Sequence, residues 1–315
     1  MPSFRRILVA YGFSVRPRSR AVLAAIVALS LLSIDPVYAA WWPWSHETAK
    51  VPPKRAAPPK HVTLPKPGPA KPSSSKPSSS KPSALKAGPL KCEPAKFRVV
   101  VDVGHTRQSE GAASARNIPE FDFNLQLARR IEDKLKSEGF VETRLLVTEG
   151  KARPSLLKRV AAANNSGANL FLSIHHDSVP DRLLEKWEFD GKKRYFSDRF
   201  SGHSVFVSTR NPQFEASLRF AQLIGHQLKA QGLQYAKQYT LPIMGRYRRE
   251  LLDKEAGVYR YDHLVVLATT RMPAVLLEAG SIINRDEELA MDSPARQDVI
   301  TAAVAGALKE FCDPR

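Results

Sequence analysis

Four residues stand where they could do chemistry together. His105 comes just after the run Phe97–Val103, His175 follows Leu170–Ile174, and Glu278 follows Ala274–Leu277; each run is short and apolar. Glu120 opens a stretch of helical spacing soon after the first run. Two imidazoles and two carboxylates gathered on one edge are the inventory of a hydrolytic zinc site. Such a site needs three protein ligands, a fourth position open to water, and a nearby base. The spacing alone leaves a plainer reading open. The ligand candidates lie 15 and 55 residues apart, with no local H-E-x-x-H motif to tie them together. Either histidine can be a polar residue that ends a strand, and Glu120 can be a helix N-terminal carboxylate favoured by the macrodipole. Glu278 is harder to dismiss, because a carboxylate placed directly after an apolar run is costly to bury unless paired or near a metal.

The elements that must position these residues alternate between strand and helix patterns from Cys92 onward. That alternation is the signature of an α/β layer fold, here a single domain with a mostly parallel twisted sheet flanked by helices. In open sheets of this kind, ligands gather outside the carboxyl ends of the strands, where His105, His175 and Glu278 fall. Pro119–Glu138 reads as a helix because Phe123, Leu127, Ile131 and Leu135 recur at helical spacing and Gly139 can end it. Val141–Val147 reads as a second strand, Ser155–Asn164 as a helix, Ser204–Ser208 as a strand and Gln213–Gln231 as a long amphipathic helix. Leu264–Leu267 and Ala274–Leu277 are expected to close the sheet, with a C-terminal helix over Ala295–Glu310. Two charged stretches, Ser178–Gly202 and Gln234–Glu255, break the rhythm and read as irregular insertions near the mouth of the site.

Residues 97–311 resemble the zinc-dependent N-acetylmuramoyl-L-alanine amidase family (the amidase type 3 domain) in four ordered blocks. Val100–His105 with Gly111 and Ala112 resembles the first histidine motif, and Glu120 with Asn124 and Leu125 the glutamate motif. Arg159 with Ala163 and Asn164, then Gly167–Asp177, resembles the segment of the second histidine. Met272–Gly280, with Asn284 beyond it, resembles the segment of the catalytic glutamate. The resemblance implies His105, Glu120 and His175 as zinc ligands and Glu278 as the catalytic carboxylate, with His176 a neighbour outside the ligand set. It implies hydrolysis of the amide between N-acetylmuramic acid and L-alanine in peptidoglycan, in cell-wall remodelling or cell separation. An activator protein in the envelope is a partner consistent with it. Val103, Thr106, Glu149 and Ser281 depart from the usual pattern, all beside the site that the resemblance implies. Two other functions share these features: a peptidoglycan-binding module without catalysis, and a zinc peptidase acting on the stem peptide. The presence of all four site residues speaks against the module, and only the resemblance favours the sugar–peptide amide. If the domain inhibits itself, the stretches 178–202 and 234–255 are the candidates.

The formal charge of +17 raises a nucleic-acid partner, which its location removes. Residues 1–40 carry +4, residues 41–91 carry +9, and the remaining chain holds 33 basic against 29 acidic residues. With no RNA-binding aromatic motif or zinc-finger spacing, no nucleic acid is expected. Residues 1–40 read as a signal peptide: a basic leader through Arg20, an apolar run Ala21–Ile34, and Val37, Tyr38 and Ala39 before a cleavage point. The run is shorter than the roughly 20 residues of a membrane-spanning helix. Residues 41–91 hold 12 of the 24 prolines and a repeat in which Lys71, Lys76 and Lys81 each precede a proline. That composition buries too little apolar surface to offset ordering, so a disordered Pro/Lys/Ser-rich linker is expected. Its lysines suit loose contact with an anionic envelope surface. Residues 92–315 are then the catalytic domain of an exported monomer, periplasmic or cell-wall associated. The two cysteines, Cys92 and Cys312, bracket that domain and could join its ends in an oxidising compartment.

Overall fold

The computed structural model describes residues 91–313, so the expected leader (1–40) and all but the last residue of the expected linker (41–91) lie outside the described residues. Nine strands and six α-helices follow one another there. In chain order they are β1 (Val99–Val103), α1 (Glu120–Ser137), β2 (Arg144–Leu146), α2 (Ala152–Asn165) and β3 (Leu170–Asp177). Then come β4 (Glu185–Phe189), β5 (Lys192–Phe196), β6 (Ser204–Val207), α3 (Phe214–Ala230), β7 (Glu250–Asp253) and β8 (Val258–Arg260). Last are α4 (Val265–Thr269), β9 (Ala274–Ser281), α5 (Arg285–Asp292) and α6 (Pro294–Cys312).

Seven strands form one sheet in the order β2-β1-β3-β9-β6-β8-β7. The pairs β1–β2, β1–β3, β3–β9 and β6–β8 are parallel, while β6–β9 and β7–β8 are antiparallel. The sheet is therefore mostly parallel, as the alternating pattern predicts. Strands β1, β3, β6 and β9 are buried along their whole length, which is why they read as continuous apolar runs instead of alternating ones.

Side chains alternate between two apolar layers. Val101, Val103, Leu172, Ile174, Val275 and Leu277 pack with Leu127, Ile131, Phe220, Ile224, Val304 and Leu308 of α1, α3 and α6. Val100, Phe171, Leu276, Phe206 and Tyr259 pack on the other face with Ala163, Val266, Tyr239 and Met244. Cys92 and Cys312 form a disulfide, and the Cys92 N–H donates to the Cys312 carbonyl at 3.0 Å, so the two ends of the domain are pinned side by side.

Three expectations are corrected. Leu264–Leu267 is not a strand: Leu264 caps the short helix α4, with the amides of Leu267 and Ala268 both bonded to its carbonyl. A four-residue apolar run carries no period that separates helix from strand. The place beside β6 is taken instead by β8, whose three residues are too few to show a pattern. The stretch Ser178–Gly202 is not irregular but carries the hairpin β4–β5, turned at Asp190 and Gly191 in the left-handed region (φ 53° and 65°), the backbone of a two-residue primed turn. Within Gln234–Glu255, 3₁₀ turns lead into β7, the edge strand of the main sheet.

Candidate active site

The first histidine sits on a strained backbone. After β1 the chain turns at Gly104, and His105 adopts φ 66°, a left-handed conformation that costs a non-glycine residue on the order of 1–2 kcal/mol. The buried guanidinium of Arg159, on α2, holds this turn. It donates to the backbone carbonyls of Val103 and His105 and pairs with Asp102 at 2.7 Å. Asp102 also accepts the Ser173 hydroxyl at 2.7 Å. Bare backbone lies against each ring: a Cβ on Gly104 would overlap the His175 ring, and one on Gly111 would overlap Glu120 and His105.

Glu120 is the first residue of α1, after Pro119. Its Oε2 lies 2.9 Å from His105 Nε2 and its Oε1 lies 2.9 Å from His175 Nδ1. The Asn124 amide donates to Glu120 Oε1 at 3.1 Å and to the Gly104 carbonyl at 3.2 Å, and the Ala112 N–H donates to Oε2 at 3.1 Å. Burial alone would raise the Glu120 carboxyl. The charge and hydrogen bonds of His105, followed by those of His175, overcome it and hold the carboxyl well below its ordinary value. Burial drives His175 the other way, toward the neutral imidazole, against its bond to Glu120. These directions compete, since each group's charge supports the other's; we stand behind an ionised Glu120 facing a neutral His175, because an imidazolium there carries a further desolvation cost. One ligand atom from each of His105, Glu120 and His175 lies within 4.8 Å of the others.

His175 and Glu278 lie within β3 and β9 and not beyond their ends as expected; β3 runs on through His175 and is bulged before Asp177. The two residues are paired across the strands, so their side chains leave the same face. Glu278 is 4% exposed and its Oε2 has no hydrogen-bond partner among the described residues. Burial pushes its carboxyl well up, helped by the nearby charges of Asp177 and Glu120. His176 points elsewhere: its Nδ1 donates to Asn124 Oδ1 at 2.8 Å, and burial pushes it down to about 3. It orients Asn124, which orients Glu120.

A cavity of about 730 Å³ opens over this group, within the size range of small-ligand sites, lined by His105 and His175 but not by Glu278. The hairpin insertion supplies part of its wall through Leu184, Lys193, Arg194 and Tyr195. The second insertion does not line it. It reaches the end of β3, where the Tyr239 hydroxyl donates to both Asp177 oxygens at 2.8 Å and Gln238 Nε2 donates at 3.3 Å. Burial nevertheless raises the Asp177 carboxyl to about 7. The bracing role of Arg159 escaped a reading by motif. Its signal was an arginine at four-residue spacing from Ser155 and Ala163, the other buried positions of α2.

The donor set suits a metal. Two imidazoles and one carboxylate are a common ligand trio for catalytic zinc, and the bare glycines keep the space around them clear. Residues 99–310 match the family model described as N-acetylmuramoyl-L-alanine amidase. The N-acetylmuramoyl-L-alanine amidase AmiC of Escherichia coli is 26% identical over 238 residues, covering 68% of this chain and 53% of the relative. The catalytic domain of CwlV, an N-acetylmuramoyl-L-alanine amidase from Paenibacillus polymyxa, superposes with a TM-score of 0.50 at 26% identity, over 70% of this chain and 99% of that one. The amidase Ami1 from Mycobacterium smegmatis superposes with a TM-score of 0.53 at 21% identity, over 71% of this chain and 100% of that one.

Proposed function

The chain belongs to the N-acetylmuramoyl-L-alanine amidase family, a peptidoglycan hydrolase family, and we propose that it cuts the muramoyl–L-alanine amide with His105, Glu120 and His175 holding a zinc ion and Glu278 acting as the proton-transfer group. The observation that carries this reading is the convergence of the two imidazoles and Glu120 on one point at the cavity. His105, Glu120 and His175 would hold the zinc ion, which would supply Lewis acidity for the scissile carbonyl and for water near neutral pH.

The chain's own residues do the rest. Arg159 and Asp102 fix the His105 turn, and Asn124 and the Ala112 amide fix the Glu120 carboxylate. Glu278, beside His175, takes the proton from the attacking water and hands it to the departing amine of L-alanine. Burial raises the Glu278 carboxyl, which favours its protonated form and so its return of the proton to the departing amine. In this reading residues 92–315 are the catalytic domain, exported under the leader 1–40 and tethered by 41–91. Export is consistent with the Cys92–Cys312 disulfide. No helix of the described residues is long and apolar enough to cross a membrane.

Digestion of purified sacculi by the full chain, with and without a zinc chelator and followed by mass analysis, tests the proposal. The expected product is glycan freed of stem peptides that begin with a free L-alanine amine, lost on chelation and restored by zinc. Cleavage within the peptide would point to a zinc peptidase. Intact sacculi that retain the protein, together with no bound zinc, would point to a binding module.

A further inference from the structure

Arg194 is a cation inside the cleft that the amide chemistry does not use. It lies on β5 opposite Trp187 of β4 and lines the same cavity as His105 and His175. Its Nε is buried with no hydrogen-bond partner, and no ion pair joins it to any of the described residues. The neighbouring arginines are all engaged. Arg116 pairs with Glu288 at 2.6 Å, Arg285 pairs with Asp198 at 2.5 Å, and Arg159 pairs with Asp102 at 2.7 Å. Glu110 and Asp181 also line the cavity, yet neither pairs with Arg194. Arg194 is half-buried, with Nε shut off from solvent; a guanidinium nitrogen left unbonded there is costly, and a partner entering the cavity can satisfy it.

The hairpin that carries Arg194 is held firmly. The Trp187 indole donates to the Ala115 carbonyl at 3.1 Å, Arg285 covers the Phe196 ring at 3.9 Å, and the Ser197 N–H donates to the Ile283 carbonyl at 2.9 Å. Arg194 is thus presented from a braced strand, while Lys193, next to it on β5, adds a second positive charge to the same wall. A cavity of about 730 Å³ is roughly 11 Å across if round, space for about three residues of extended peptide at ~3.3 Å each.

We propose that Arg194, with Lys193, takes a free carboxylate of the stem peptide close to the scissile amide, so that the β4–β5 hairpin makes the enzyme selective for acidic stems over amidated ones. This rests on the amidase reading and names the substrate class within it. A guanidinium suits the task because its planar fork binds a carboxylate through two parallel hydrogen bonds. A primary amide in the same place offers one acceptor oxygen and sets its own N–H donors against the cation. Arg194 therefore acts on binding of the peptide and leaves the reacting atoms alone.

The test uses the full-length zinc-loaded protein and two soluble muramoyl peptides that differ only in whether the second residue carries a free carboxylate or a carboxamide. The wild type is expected to turn over the acid with a KM about tenfold or more below that of the amide, the size of one lost charge-assisted pair. Arg194→Gln is expected to raise KM for the acid to that of the amide while kcat stays within about twofold, and Arg194→Lys is expected to restore part of the preference. A wild type that does not distinguish the two, or an Arg194→Gln variant that still does, overturns the inference. A wild type that cuts neither peptide and no sacculi overturns the amidase reading itself. Unchanged circular dichroism and zinc content of the variant separate lost recognition from lost folding.

Discussion

The guanidinium of Arg159 donates to the backbone carbonyl of His105, so a helix on one face of the sheet holds the strained turn that aims a metal-ligand candidate. Arg159 is 2% exposed and Asp102 is fully buried. Replacing Arg159 by Met would leave the Asp102 carboxylate without its cation and two carbonyls without a donor. Removing one partner of a buried pair typically costs about 3–5 kcal/mol. Urea unfolding of Arg159→Met should show a loss of that size, together with weaker zinc retention in the fraction that remains folded. A loss under about 1 kcal/mol would mean that the pair does not hold the turn.

Glu278 and Gly104 should separate proton transfer from metal holding. Glu278→Gln keeps the shape and removes the proton exchange, so zinc content should be unchanged while turnover falls by a factor of about 10²–10⁴. Gly104→Ala leaves every polar group in place, but its methyl overlaps the His175 ring, so zinc should be lost along with activity. Elemental analysis beside a hydrolysis assay reads both. Wild-type turnover by Glu278→Gln would remove Glu278 from its role.

The sheet was legible wherever burial on both faces leaves an unbroken apolar run, as in Val99–Val103 and Leu170–Ile174. The helices were legible wherever one apolar face recurs, as in Phe123, Leu127, Ile131 and Leu135. Legibility failed where an element is too short to show a period, as in β8 and α4. It failed again where a hairpin is held by cross-strand rings and cations: Trp187, Phe189 and Phe196 meet only after folding. The two histidines could be picked out because each follows a recognisable run and Glu120 because it opens a helical pattern, but only the family resemblance joined the three into a ligand set. The support of Arg159 for His105, and of Tyr239 for Asp177, joins residues 54 and 62 positions apart and leaves no local pattern in the chain.

The Cys92–Cys312 disulfide closes a loop with a sequence separation of 220 residues. On a chain-entropy account, a loop of that length contributes about 5 kcal/mol by restricting the unfolded chain. Reductant, or the Cys92→Ser/Cys312→Ser double variant, should therefore lower unfolding free energy by up to that amount while leaving the site on the far edge of β1 and β3 intact. Denaturant titration with and without reductant checks it. Coincident curves would show that the bond adds nothing under those conditions.

One buried histidine outside the ligand group should oppose folding in mild acid. His203 precedes β6, is 2% exposed, and joins the second insertion through its backbone: its N–H donates to the Gln234 carbonyl at 3.1 Å, and its carbonyl accepts the Ala236 N–H at 2.7 Å. Burial pushes its imidazole down from 6.5 to about 4, against weaker opposing bonds from the Ala256 and Gln234 backbone. Between those two values the unfolded chain binds the proton and the folded one does not. The stabilising difference is therefore complete above pH 6.5 and is lost as pH falls toward 4. A shift of that size corresponds to about 3 kcal/mol at most. Urea unfolding at pH 7 and pH 5 should show that His203→Gln, whose amide does not titrate, loses less stability on acidification than the wild type does. A variant that keeps the full wild-type pH dependence would remove His203 from this role; the Asp177 and Glu278 carboxyls, both raised by burial, bind protons in the folded state and push stability the opposite way, so the comparison of variant with wild type carries the test.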